Sequence, residues 1–307
     1  MDIRQLRYFK TVAEIGSFSA AARYLGVAQP ALSRHVKALE GELGVVLLHR
    51  RVRGIDLTPF GERLLHSASA LLRQFEMLPD VVSDRDKVVS GRVVVGLPTS
   101  VNVVLAQPLI SAAMSRLPAV QLHVIESLSG FLREWIEAGR LDICILYDAD
   151  AGSMLDLETI LIEDLYLLGS AGAMPEGCQE IPFQRLADLP LAMPGPPHSL
   201  RRLLDTIAIS HGVRLNIVVE VDSLTIIKAI AERENLFTLL PMSAAYDELQ
   251  AGRLQAHRIV TPSVSRSVSI ATSTVRGRTR ACEEIRRLIL EISHDLEHRG
   301  IWKKVRI

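Results

Sequence analysis

The sequence predicts a chain of two unlike parts. A small helical head, closed by a short β-hairpin and carried on a long helix, precedes a larger α/β region of two lobes. Three observations predict this. Apolar residues recur at helical spacing in three short segments before residue 45. A heptad-like apolar row runs from Leu64 to Val82. Beyond Arg92, short apolar runs alternate with helical stretches, the pattern of strands covered by crossover helices. With 307 residues, 48% of them apolar, the chain can build two or three separate cores.

Taken in order, the first helix carries Leu6, Phe9 and Ala13 on one side and breaks at Gly16. Ser17 is placed to cap a second helix with Phe18, Ala22 and Leu25 as its stripe and Gly26 just past its end. A third helix starts near Gln29, with Pro30 in its first turn, and stops at Gly44. Its apolar side is Leu32, Val36, Leu39 and Leu43. The stretch "VVLLHRRVRGIDLT" then reads as two strands around a basic turn. Thr58 and Pro59 open a long helix as N-cap and first residue. Leu64, Ala68, Leu71, Phe75, Leu78 and Val82 follow at steps of 4, 3, 4, 3 and 4, a dimerising seam. An ordinary amphipathic helix lying on its own domain is the alternative. Pro79 should kink or end this helix, and "SDRDKVVSG" reads as a hinge.

The larger region is expected to hold strands at 92–98, 121–127, 141–147, 165–170, 191–195, 216–223, 235–241 and 266–273 in a largely parallel sheet. A last amphipathic helix is expected from about Thr279 to Leu296.

No apolar run reaches the length of a membrane span. The N-terminus "MDIRQLRYFK" lacks the plan of a signal peptide. Cys144, Cys178 and Cys282 are scattered, which fits a reducing cytoplasm and opposes a disulfide framework or a structural metal. No GxSxG, P-loop, GxGxxG or HExxH is present. Cys144 lies within an apolar strand. The expectation is therefore no enzyme, no cofactor and no metal.

The charge is uneven. Residues 1–60 hold nine Lys/Arg and five Asp/Glu, a balance of +4, which leaves −4 for the rest since the totals are 35 and 35. Such an imbalance lies within chance by itself. It gains meaning from the third helix, where Gln29, Ser33, Arg34 and Lys37 form one stripe opposite the apolar side. Arg offers a planar fork to guanine, Gln can pair with adenine, and Lys suits a phosphate. Arg50, Arg51 and Arg53 in the hairpin suit phosphates or a minor groove. Each feature alone is a solvated face. In this order they describe a winged helix-turn-helix that lays its third helix in the major groove of double-stranded DNA.

The residues also carry a resemblance. "LRYF" (6–9), "GSFSAAARYLGVAQPALSRHVKALEGELGVVLLHR" (16–50) and "LTPFG" (57–61) resemble the head of the LysR-type transcriptional regulators. The later plan of the chain is also similar to that family. The resemblance implies a winged helix-turn-helix DNA-binding domain at 1–58, and a dimerisation helix and hinge at 59–90. An effector domain follows at 91–307, two-lobed like periplasmic binding proteins. Lobe I would cover about 91–163 and 267–307, and lobe II about 164–266. It implies a dimer of dimers on promoter DNA, with RNA polymerase as a further partner and a cytoplasmic location. Two departures stand out. Leu48 occupies a position usually held by Phe, and Pro79 is unusual in the linker helix.

The resemblance further implies a small, anionic effector between the lobes, near Pro98, Thr99, Ser100, Ser127 and Ser129 on one side and His198, Ser199, Ser223 and Thr225 on the other. Pro30 and Gln29 would join the DNA contacts. Serines and threonines also cap helices everywhere, and that reading stays open for these residues. "LDICILYD", "EDLYLLGS" and "VTPSVSRSVS" are similar to the nitrogen assimilation control branch, which is thought to act without a small effector. A regulator controlled by its own level is therefore the alternative. A solute receptor without DNA function is a more distant one.

Overall fold

The computed structural model describes residues 1–51, 54–81, 88–150, 155–173, 179–196, 198–273 and 279–303. The chain divides into two compact units, the head with its long helix and the larger α/β unit.

The head begins with α1 (Ile3–Ile15), α2 (Phe18–Leu25) and α3 (Gln29–Leu43). Local chemistry sets their ends. Asp2 and Gln5 form a reciprocal capping box on α1. Ser17 accepts from the Ala20 N–H at the start of α2, and Gly26 closes α2 at φ 65°. Pro30 sits in the first turn of α3, and Gly44 ends it at φ 68°. Leu6, Phe9 and Val12 of α1 meet Ala21 and Ala22 of α2 and Leu32, Val36 and Leu39 of α3 in one core. Leu43, expected on that apolar side, is 38% exposed in the last turn of α3.

The hairpin is β1 (Leu48–Arg51) paired antiparallel with β2 (Gly54–Leu57), Leu48 opposite Leu57. Glu40 in α3 fixes it, its Oε1 accepting from the N–H groups of Leu47 and Leu48 at 2.8 and 3.2 Å. Then α4 (Pro59–Val81) begins. Buried Thr58 caps it by accepting the Gly61 N–H at 3.0 Å while donating its hydroxyl to the Val46 carbonyl at 2.7 Å. Gly61 is required there: a Cβ would lie 2.1 Å from the Leu47 carbonyl oxygen. The helix runs two residues past Pro79, so the proline falls in its last turn.

The expected seam on α4 divides in two. Ala68 and Leu72 are buried in the head core, with Leu64 and Leu65 packed beside them. Leu71, Phe75 and Leu78 are 44–54% exposed. A single heptad face running from Leu64 is therefore corrected. The head does offer the helix an apolar surface, along α1, and the first half of α4 is spent on it. Val82 lies outside the described residues.

The α/β unit contains three hydrophobic cores, two in lobe I and one in lobe II. Lobe I is built from β3 (Gly91–Pro98), α5 (Thr99–Arg116), β4 (Val120–Ser127), α6 (Ser129–Glu137), β5 (Ile143–Tyr147) and β6 (Leu155–Asp164). Lobe II follows with β7 (Tyr166–Ser170), β8 (Glu180–Pro182), β9 (Leu191–Met193), α7 (Ser199–Ser210), β10 (Ile217–Glu220), α8 (Leu224–Arg233), β11 (Thr238–Leu240), α9 (Tyr246–Gln250) and β12 (Leu254–Val260). The chain then returns to lobe I as β13 (Ser265–Ser273) and α10 (Arg280–His298), the latter capped by Thr279.

The lobe I sheet has the order β4-β3-β5-β13-β6. The first three strands are parallel, while β13 is antiparallel to both of its neighbours. The lobe II sheet has the order β11-β7-β12-β8, with β7 antiparallel to β11 and β12, and β9 and β10 form a parallel pair. The expectation of a largely parallel sheet is thus corrected to a mixed one. One residue, Leu165, separates β6 from β7, and four separate β12 from β13. A parallel crossover needs about a dozen residues or more, so these joints cannot be βαβ units. Reading every strand as followed by a helix also missed β6, β8 and β12. In lobe I, Gly96 lets α6 and β5 approach β3, since a Cβ would meet Leu141, Leu132 and Cys144 at 2.6–3.2 Å.

Candidate DNA-reading helix and interlobe cavity

On α3, Gln29, Pro30, Arg34 and Lys37 are exposed and Ser33 is half-buried. They share the wet side of a helix whose other side is fixed by Leu32, Val36 and Leu39. His35 is turned away, edge-on to the Tyr8 ring at 5.2 Å, and ties α3 to α1. In the hairpin Arg51 is exposed, its Nε donating to Asp56 at 2.9 Å. An exposed pair of this kind is worth little and leaves the guanidinium available to a phosphate. The side chain of Arg50 and all of Arg53 lie outside the described residues.

The α/β unit holds a cavity of about 540 Å³ of empty space, part of it open to solvent, between lobe I and lobe II. It sits where strands end and helices begin: β3 into α5, β4 into α6, and the N-termini of α7 and α8 from the other lobe. This is the usual place for a ligand in an open α/β sheet. Four helix N-termini add positive potential. Of the expected residues, Pro98, Thr99, Ser100, Ser127, Ser129 and His198 line it. Ser199, Ser223 and Thr225 do not. Ser223 accepts from the Ile226 N–H at 3.5 Å as the cap of α8, Thr225 is exposed, and the Ser199 hydroxyl is buried without a partner among the described residues. These three side chains serve or flank helix starts rather than the cavity.

Sequence reasoning missed most of the wall. Its body is apolar, with Leu128, Leu200, Leu224, Ile227 and Leu240 among the lining side chains. Its polar centre is Arg266, only 3% exposed. Arg266 stands opposite Glu163 across the β13–β6 pair and donates to it at 2.7–2.8 Å. Its Nη2 also donates to Ser100 Oγ at 3.2 Å, and its guanidinium stacks 3.5 Å from the Tyr147 ring centroid. The Tyr147 and Ser100 hydroxyls lie 2.5 Å apart. Glu163 is completed by the indole Nε1 of Trp302 at 2.8 Å. Burial alone would tend to discharge Arg266, but Tyr147 and Glu163 outweigh it and hold the guanidinium above the usual arginine range. Burial likewise pushes the Tyr147 hydroxyl up to about 12, so it stays protonated. The signal that could have found Arg266 was a lone charge within the apolar run "RSVSIATS".

His198 caps α7, its Nδ1 accepting the Leu200 N–H at 3.2 Å. Burial, and then the charge of Arg266, lower its pKa to about 4. It therefore presents a neutral ring to the cavity, with Nε2–H as donor. Asp222, also in the lining, accepts the Gly195 N–H at 2.9 Å. Cys144 is fully buried, and burial pushes its thiol well up. Such a thiol is inert. Among the described residues no group of three or more His, Cys, Asp or Glu side chains could hold a metal, and no helix is long and apolar enough to cross a membrane.

Residues 3–62 match the model of the bacterial regulatory helix-turn-helix protein, lysR family, and residues 86–293 match the LysR substrate binding domain. The chain belongs to the LysR family. It is a LysR-type DNA-binding transcriptional regulator. Its relatives in this family include the nitrogen assimilation regulatory protein Nac of Klebsiella aerogenes, 30% identical over 95% of each chain. The regulator BbuR of Bordetella bronchiseptica is 31% identical over 91% of this chain and 86% of that one. In fold, the regulator is similar to a cysteine-to-aspartate variant of full-length OxyR from Pseudomonas aeruginosa, with TM-score 0.78 and 24% identity over 96% and 95% of the two chains. It is also similar to full-length CbnR in complex with its target DNA, with TM-score 0.55 and 23% identity over 95% and 100%.

Proposed function

We propose that this LysR-type regulator reads a pseudo-palindromic promoter site as a dimer of dimers and answers to a small effector bound between its lobes. The observation that carries the DNA reading is α3. Its apolar side is buried while Gln29, Pro30, Arg34 and Lys37 stand exposed on the other. In this reading Gln29, Ser33 and Arg34 meet base edges, and Lys37, Arg50, Arg51 and Arg53 meet phosphates. Two heads then read half-sites about one turn, roughly 34 Å, apart. Their pairing uses the outer half of α4, where Leu71, Phe75 and Leu78 are exposed. A second kind of contact, needed to join dimers, is supported by apolar side chains exposed on α5, Val103, Ile110 and Met114. RNA polymerase is the partner through which the bound tetramer acts.

The effector reading rests on the formed cavity and its helix N-termini, which suit an anionic group on an apolar body. An effector that favours one arrangement of the lobes, opened or closed about the crossover strands as in periplasmic binding proteins, shifts the tetramer on DNA. The chain acts by binding and not by catalysis.

The test is a gel shift on DNA flanking its own gene across a salt series. Specific binding in the nanomolar range should weaken steeply with salt. Arg34→Ala should relax base preference at one position, while Arg51→Ala should weaken binding to all sequences alike. If both variants keep wild-type specificity and affinity, α3 and the wing are not the reading surface.

A further inference from the structure

The cavity carries opposite charges on its two walls. On the lobe I side, Arg266 is the buried cation, and its hydrogen bond to Ser100 is to a neutral hydroxyl that a ligand oxygen could replace. Glu163, its counter-charge, is not part of the lining. On the lobe II side, the exposed Asp222 is the anion, and among the described residues its bond to the Gly195 N–H engages one carboxylate oxygen. His198 lies within electrostatic reach of both, Arg266 and Arg202 lowering and Asp222 raising its pKa. The remaining wall is apolar.

We infer that the effector is a zwitterionic α-amino acid with an apolar side chain, its carboxylate held by Ser100 and Arg266 and its ammonium by Asp222. This rests on the effector reading above and narrows it. The argument is one of pairing. A plain carboxylate satisfies Arg266 and the N-terminus of α5, but leaves the Asp222 carboxylate facing it across a closing cavity. A simple amine pairs with Asp222 but makes no use of Ser100 and Arg266, which keep each other and Glu163. Asp222 is exposed and Arg266 keeps Glu163, so each half-ligand forgoes one charge-assisted contact that the zwitterion makes. A zwitterion pairs both ends, and its side chain lies against Leu128, Leu224 and Ile227. Because Ser100 belongs to lobe I and Asp222 to lobe II, the same ligand draws the lobes together, which links occupancy to the closed form.

The experiment is titration calorimetry of the full chain with L-leucine, L-methionine and L-phenylalanine, each beside its N-acetyl and its amide form. At least one amino acid should bind about tenfold or more tightly than both of its derivatives. Asp222→Asn keeps the acceptor for Gly195, so folding is spared. It should weaken that amino acid about tenfold and leave the N-acetyl form unchanged. Ser100→Ala should weaken the amino acid and the N-acetyl form together. The inference is overturned if an N-acetyl form binds as well as its parent, if Asp222→Asn weakens both equally, or if nothing in the panel binds. In the first two cases the effector reading survives with a different ligand class. That reading itself fails if a small-molecule filtrate of the producing cells also leaves melting temperature and operator affinity unchanged.

Discussion

His198 shows how a single side chain can serve a fold and a site together. Its Nδ1 ends the N-cap chain of α7, and its pKa is held at about 4 by burial. An unfolded histidine titrates near 6.5. Between these values the folded chain binds fewer protons than the unfolded one, so stability falls as pH drops from 6.5 toward 4. Replacing it by Asn, which caps a helix without titrating, should remove this part of the loss. Melting temperatures of wild type and His198→Asn at pH 7.5, 6 and 5 check it. Parallel curves would mean that His198 does not titrate as its surroundings demand. Residues whose role is local were legible in the sequence. Ser17, Gly26 and Thr58 cap as their types and positions require. Leu43 was misread because exposure at a helix end depends on what stands beyond it, which no periodicity contains.

At the scale of elements, α4 is the instructive case. Its sequence offers one apolar row, but the helix uses two adjacent stripes. Ala68 and Leu72 close the head, and Leu71, Phe75 and Leu78 face outward. Positions 71 and 72 therefore separate folding from assembly. Leu71→Glu should leave the head's thermal unfolding unchanged while yielding monomers and poor operator binding. Leu72→Glu should destabilise the head by several kcal/mol, on the order of 3–5, because it buries a charge in place of a packed side chain. Sedimentation and circular dichroism of the two variants decide the matter. A monomer with an unfolded head in the first case, or a stable dimer, would sink the division. The strands that sequence reasoning missed, β6, β8 and β12, share a reason. Their burial alternates or is broken by charges, as at Asp156 and Glu158, and none is followed by an α-helix.

At the scale of the larger unit, the chain passes from lobe I to lobe II after β6 and returns into β13. Glu163 and Arg266 face each other where these two segments meet, and Trp302, beyond the last helix, locks the pair. Three distant stretches of sequence thus share one buried ion pair. Glu163→Gln leaves Arg266 charged and short of its counter-ion, and should cost about 3–5 kcal/mol. Replacing both by well-packed apolar residues should recover most of that loss, while ligand response is lost with Arg266. Thermal unfolding of the single and double variants measures both effects. A single variant as stable as wild type would show that the pair bears no weight.

By itself, the sequence determined what short-range chemistry can settle. It specified the caps and lengths of the head's helices, the exposed polar edge of α3, the hairpin, the strands that lead into α5 and α6, and the family. Each depends on residues within a few turns of one another, or on a pattern of sixty. Only the tertiary structure decided which half of α4 is core, that the sheets are mixed, and that Arg266, Tyr147 and Asp222 share a cavity with Ser100 and His198. Those outcomes depend on contacts between residues tens to more than a hundred positions apart. A lone arginine in a strand becomes a site only when folding removes its water and leaves Glu163, Ser100 and the cavity as its surroundings.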